Sequence, residues 1–142
     1  MGKPANLTLI SEDLGVRKLV DVLKTNKAWD QAKQTVVVAE GLLMYLSAEA
    51  VNELFHQCNA ITGPGSRVTF TYIHTGEDGR PDAGRWTGLM LWLLKVAGEP
   101  WLWGIRPEEL NTFLEEAGWT NSPELVGPTA KHGVEFFCVA MR

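Results

Sequence analysis

Thr35-Val36-Val37-Val38-Ala39-Glu40-Gly41-Leu42-Leu43-Met44-Tyr45-Leu46 runs from a β-branched stretch into a carboxylate and a glycine, and Ser47 then begins a new pattern. Consecutive valines read as a buried strand, because β-branched side chains fit a pleated surface. Open α/β sheets bind their ligands outside the carboxyl ends of their strands, so Glu40 stands where a cleft is expected. Gly41 beside it permits a backbone angle that a residue with a Cβ would resist. Glu40 also has a plainer reading, as a cap for the next helix.

Outward from this stretch the chain alternates. Leu7 to Ile10 reads as a short strand, followed by Asp13-Leu14-Gly15 and a helix with Val16, Leu19, Val20 and Leu23 on one face. Ser47 is a good N-cap for a second helix, whose face of Val51, Leu54, Phe55, Cys58 and Ile61 runs to the stop at Gly63-Pro64-Gly65. Arg67 to Ile73 is a third strand, and His74 to Gly84 a polar loop. Trp86 to Ala97 is apolar on nearly every face, a helix that should be covered. Arg106-Pro107-Glu108-Glu109 opens another helix, with Pro at its first position and acids in its first turn. Its residues Leu110, Phe113, Leu114 and Ala117 point inward before Gly118 ends it. Glu124 to Gly127 is a weak strand, Lys131-His132-Gly133 a turn, and Val134 to Met141 a strong final strand. The expected fold is α/β: a mostly parallel sheet with an antiparallel C-terminal strand and helices on both faces.

At 142 residues one domain with a single core is expected. With 45% apolar and 21% charged residues and a formal charge of −4, the composition is globular and offers no basic footprint for nucleic acid. Met1-Gly2-Lys3-Pro4 precedes no apolar signal region, and no apolar run could span a bilayer, so a cytoplasmic location and no membrane partner are expected. Cys58 and Cys138 fall at packing positions, and His56, His74 and His132 are scattered, which gives a metal site no support.

Glu40-Gly41-Leu42-Leu43-Met44-Tyr45-Leu46, between a strand and an amphipathic helix, resembles the signature of leucine carboxyl methyltransferase-like enzymes, which use S-adenosylmethionine. The likeness continues in Asp13-Leu14, in Pro64-Gly65-Ser66-Arg67, and from Arg106-Pro107-Glu108-Glu109-Leu110 through Phe113-Leu114 to Gly118-Trp119. It implies that Asp13 and Leu14 lie against the adenine, and that Glu40, with Gly41, lines the pocket around the methionine part of the cofactor. It also implies that 76–105 is a lid-like helical insertion over the acceptor, where Trp86, Trp92, Trp101 and Trp103 serve a substrate pocket, a core or an interface. His74, with Tyr72 beside it, is the candidate base for a hydroxyl acceptor; a loop histidine exposed to solvent is the alternative.

The family pattern has an earlier strand with a Gly-rich turn and a second strand ending in an acid for the ribose. Gly63-Pro64-Gly65 and Gly76-Glu77-Asp78-Gly79 do not follow a strand and open a helix as that turn must. The chain therefore resembles the C-terminal half of the fold, an incomplete Rossmann-like methyltransferase sheet. The strand at Leu7 to Ile10 is expected either to move beside Thr35 to Ala39, bringing Asp13 and Glu40 into one cleft, or to pair with another subunit. Open strand edges and the apolar Trp86 to Ala97 helix favour a homodimer. Two readings are open. One is an O- or carboxyl methyltransferase-like protein, inactive alone, whose missing half a partner chain supplies. The other is a non-catalytic homodimeric module that binds a small ligand or protein.

Overall fold

A computed structural model describes residues 4, 6–14, 16–82, 84–126, 131–132 and 134–142. The order of elements is α1 (Leu19–Lys24), β1 (Val36–Ala39), α2 (Ala48–Ile61), β2 (Arg67–Tyr72), α3 (Thr87–Val96), α4 (Pro107–Glu116), β3 (Thr120–Asn121), β4 (Lys131–His132) and β5 (Glu135–Met141). Two short 3-10 turns, Leu43–Tyr45 and Pro123–Leu125, interrupt the connections.

The strands form one mixed sheet in the order β1-β2-β5-β3, with β4 also on β5. β1 and β2 are parallel, Val37 beside Val68 and Ala39 beside Phe70, joined through α2 as a parallel pair requires. Every other pairing is antiparallel: β5 runs against β2, with Phe70 opposite Cys138, and against β3 and β4. The α/β class and the antiparallel C-terminal strand are as expected. The parallel part is one pair, because the described residues contain one crossover between parallel strands, through α2.

Side chains alternate across the sheet. Val37, Ala39, Val68, Phe70, Tyr72, Cys138 and Ala140 share the face against which α2 and α4 pack, with Val51, Phe55 and Cys58 from one helix and Leu110, Leu114 and Ala117 from the other. Phe55 meets Phe70 and Phe113 edge-on, both at 5.0 Å between ring centres, a favoured aromatic geometry. On the opposite face Val36 and Val38 are exposed and Thr69, Phe137 and Val139 half-buried. Ser47 caps α2 through its hydroxyl, which accepts from the Ala50 amide, and Gly118 closes α4 with φ +80°.

Four expectations need correction. Residues 7–10 form no strand, and Leu9 is 73% exposed: among the described residues β1 pairs only with β2, and its outer edge is left open. The helix read from Val16 begins at Leu19. The weak strand placed at 124–127 is a 3-10 turn at Pro123–Leu125, since Pro123 cannot donate to a ladder; β3 lies just before it at Thr120–Asn121. Lys131–His132, read as turn, is a two-residue strand on β5, while Gly127 and Gly133 lie outside the described residues. Among the described residues no helix is long and apolar enough to cross a membrane.

Candidate functional site

β1 and β2 run in the same direction, so the chain leaves both of them at one edge of the sheet. At that edge it passes out of β1 through Glu40 and turns at Gly41, whose φ is +62°. The Gly41 amide donates to Thr71 Oγ1 at 2.8 Å, tying the turn to the neighbouring strand. Thr71 is buried, so its hydroxyl serves that amide in place of water. Glu40 is exposed and makes no hydrogen bond or ion pair with the described residues; Ser47, and not Glu40, caps α2.

Beside this turn lies an apolar groove of about 440 Å³ between the segment leading into α1, residue Leu42 and the side of α2. It continues into a recess of about 180 Å³ whose floor is Val37, Ala39, Phe55, Cys58 and Val68. Leu14, Leu19, Leu42 and Leu54 belong to both, which makes them one cleft. That size is in the range of small-ligand sites. Its polar rim is Arg17, Lys18, Glu53 and Gln57. Arg17 is paired with Glu12, and Lys18 with Glu53 at 3.7 Å. These pairs are solvent-exposed and contribute little to stability, but they flank the mouth with both signs of charge.

The residues expected around a cofactor fall into two groups. Leu14 lines the cleft, and Asp13 precedes it, its carbonyl accepting from the amides of Val16 and Arg17. Glu40 and Gly41 stand between Ala39 on the floor and Leu42 on the wall. Of these four, Leu14 lines the cleft, while Asp13, Glu40 and Gly41 are chain neighbours of lining residues; no strand at 7–10 is involved. Tyr72 and His74 line neither part of it. They form an aromatic group with Phe136, on which His74 stacks at 3.6 Å between ring centres and 6° between planes. Burial, and then the neighbouring Cys138 thiol, push the Tyr72 phenol above its usual range.

The tryptophans separate as well. Trp103 is buried in the core near Phe113, and Ile105 beside it donates to the Ile73 carbonyl, so the end of the 76–105 segment is anchored. Trp101 is half-buried, and Trp86, just ahead of α3, is exposed. A second, more open cleft of about 400 Å³ lies among Tyr45, Gly98, Glu99, Pro100 and Leu102. Among the described residues no three His, Cys, Asp or Glu side chains gather to hold a metal. Sequence reasoning misses Leu42 and Leu54 as cleft residues. Leu42 comes directly after the Glu-Gly turn, which is an available signal; Leu54 has the helical spacing of a core residue.

Residues 1–59 match the family model of leucine carboxyl methyltransferase. A Frankia alni relative named as an S-adenosyl-L-methionine-dependent methyltransferase is 38% identical over 80 residues, which are 54% of this chain and 28% of that protein. Among solved structures, an O-methyltransferase family protein from Burkholderia thailandensis superposes with TM-score 0.53 at 14% identity, over 75% of this chain and 30% of its own. The 1,6-didemethyltoxoflavin-N1-methyltransferase of the same species gives TM-score 0.54 at 18% identity, over 80% of this chain and 45% of its own. The shared fold is that of methyltransferases, and the chain spans less than half the length of each of these proteins.

Proposed function

We propose, from the chain's relationship to the leucine carboxyl methyltransferase-like, S-adenosylmethionine-dependent enzymes, that it forms one wall of such an enzyme's cofactor site. The observation that carries this reading is the apolar cleft bounded by Leu14 and Leu42, with the Asp13 and Glu40 carboxylates beside its lining residues. Its leucines suit the flat face of an adenine, and Glu40 offers a carboxylate to the cationic ammonium of the amino-acid end. For the cofactor's own carboxylate the described residues offer no Gly-rich turn between a strand and a helix. The fit is therefore to part of the cofactor.

When bound, S-adenosylmethionine supplies a methyl group on a sulfonium, open to in-line displacement. The chain's own residues then have to bind, align and exclude water. A carboxylate acceptor is already ionised and needs no base, whereas a hydroxyl needs one. Catalysis would need a polypeptide carrying the Gly-rich portion, and the 142-residue chain by itself is expected to bind cofactor without turnover.

Calorimetric titration with S-adenosylmethionine and S-adenosylhomocysteine tests this. The expected result is measurable binding that Leu14→Glu or Glu40→Ala removes while the thermal midpoint stays within a degree or two, as surface changes allow. A folded chain that gives no heat at millimolar cofactor would overturn the reading.

A further inference from the structure

α3 is apolar on both sides, and none of its residues is fully buried. Thr87, Met90, Leu91 and Leu94 are half-buried and lie on one side of the helix. On the other side Trp86 is 69% exposed, Leu89 54%, Trp92 59%, Leu93 52% and Val96 67%. At 100° per residue those five side chains fall within roughly a 120° arc, a continuous outward stripe. Trp86, Leu89, Leu93 and Val96 are spaced three, four and three apart, which is the seam spacing with which one helix packs against another.

The charges at the two ends of the helix say which helix fits. Arg85 stands just before the N-terminus and Glu99 just after the C-terminus, each at the end where the helix dipole disfavours its sign. Arg85 stacks over the Trp86 ring at 6.0 Å, and neither Arg85 nor Glu99 forms an ion pair among the described residues. The end of α3 is fixed by two bonds, Glu99 amide to Leu94 carbonyl at 2.9 Å and Gly98 amide to Lys95 carbonyl at 3.2 Å, which hold Glu99 at that end. We infer that the outward stripe of α3 pairs antiparallel with α3 of a second copy of this chain. A two-fold axis at Leu91 sets Leu89 against the partner's Leu93 and Trp86 against the partner's Val96. It also carries Arg85, just before the helix, toward the end of the partner's α3 that bears Glu99, twice over. A parallel pair would instead set Arg85 on Arg85 and Lys95 on Lys95. One such contact is at the small end of stable interfaces, so a dimer of micromolar strength is expected. This inference is independent of cofactor binding.

The test is the mass of the 142-residue chain by sedimentation equilibrium from about 1 to about 200 µM, bracketing a micromolar constant. Leu93→Glu is expected to leave a monomer with an unchanged far-ultraviolet dichroism spectrum. Arg85→Glu and Glu99→Arg alone are each expected to weaken the dimer by about threefold to tenfold at low salt, and the double reversal to restore it. Mixing a Leu89→Cys chain with a Leu93→Cys chain should give an oxidised heterodimer, and neither alone should cross-link efficiently. A monomer at the highest concentration, a dimer indifferent to Leu93→Glu, or a double reversal no better than the single ones would each overturn the inference. So would a monomer that binds anionic phospholipid vesicles through the same residues.

Discussion

The amide of Gly41 lies 2.8 Å from the hydroxyl oxygen of Thr71, and this single bond fixes how the chain leaves its one parallel strand pair. Gly41 has the left-handed φ of +62° with open space where a Cβ would stand. Gly41→Ala is therefore expected to cost about 1 kcal/mol from backbone conformation alone, without a clash. Thr71→Val leaves the Gly41 amide without its acceptor and should cost about 1 to 2 kcal/mol. Urea unfolding of the two variants checks both, and the double variant should be less than additive because the two changes act on one turn.

Trp119 is fully buried, and its indole Nε1 donates to the Phe55 carbonyl at 3.1 Å, joining the end of α4 to the middle of α2. Trp119→Phe removes the donor and leaves a void, with an expected loss of about 2 to 4 kcal/mol. Thermal unfolding of the variant should show a midpoint lower by several degrees, together with loss of the blue-shifted emission of a buried indole.

Burial pushes the thiol of Cys58 up to about 11 and that of Cys138 up to about 12, from an ordinary value of 9.0. The unfolded chain loses these protons above pH 9 while the folded chain keeps them, so the unfolded state is favoured as pH rises. The thiols' contribution to stability is whole below pH 9 and is lost progressively up to about pH 11 and 12. Disulfide exchange reagents at pH 8 should label neither cysteine in the native chain and both in denaturant.

Two glycines make opposite predictions. A Cβ on Gly104 would lie 2.7 Å from the carbonyl oxygen of Ile73, the same oxygen to which Ile105 donates, so Gly104→Ala should destabilise by about 2 kcal/mol or more. Gly88 sits in the first turn of α3 with nothing within 4 Å of its Cβ position. Gly88→Ala should stabilise by about 0.5 to 1 kcal/mol, the difference in helix propensity. Guanidinium denaturation curves of the pair distinguish the two signs.

Periodicity alone placed α2, α4, β1, β2 and β5 close to where they are found, because each buries a face and the burial sets the spacing of its apolar residues. It misread Leu7 to Ile10, where no neighbouring strand completes a ladder. It also read Lys131–His132 as turn, since two residues are too few to carry a pattern. Leu14, the one expected cofactor residue that lines the cleft, could be picked out in advance from the family signature. Leu54 could not, because a leucine on the apolar face of a helix looks the same whether it meets the core or borders a cleft.

The chain's local chemistry determined its segments: valines for a strand, Ser47 for a helix start, Pro107 and Gly118 for the two ends of α4. Only the tertiary structure decided which apolar surfaces are used. The residues of α3 are at least as hydrophobic as those of α2, yet α2 buries Val51, Phe55, Cys58 and Ile61 while α3 buries none. The reason is that burial belongs to a pair of surfaces. α2 is held over the sheet by the two parallel strands it connects, whereas α3 comes after a loop and finds no second surface for its outward face among the described residues.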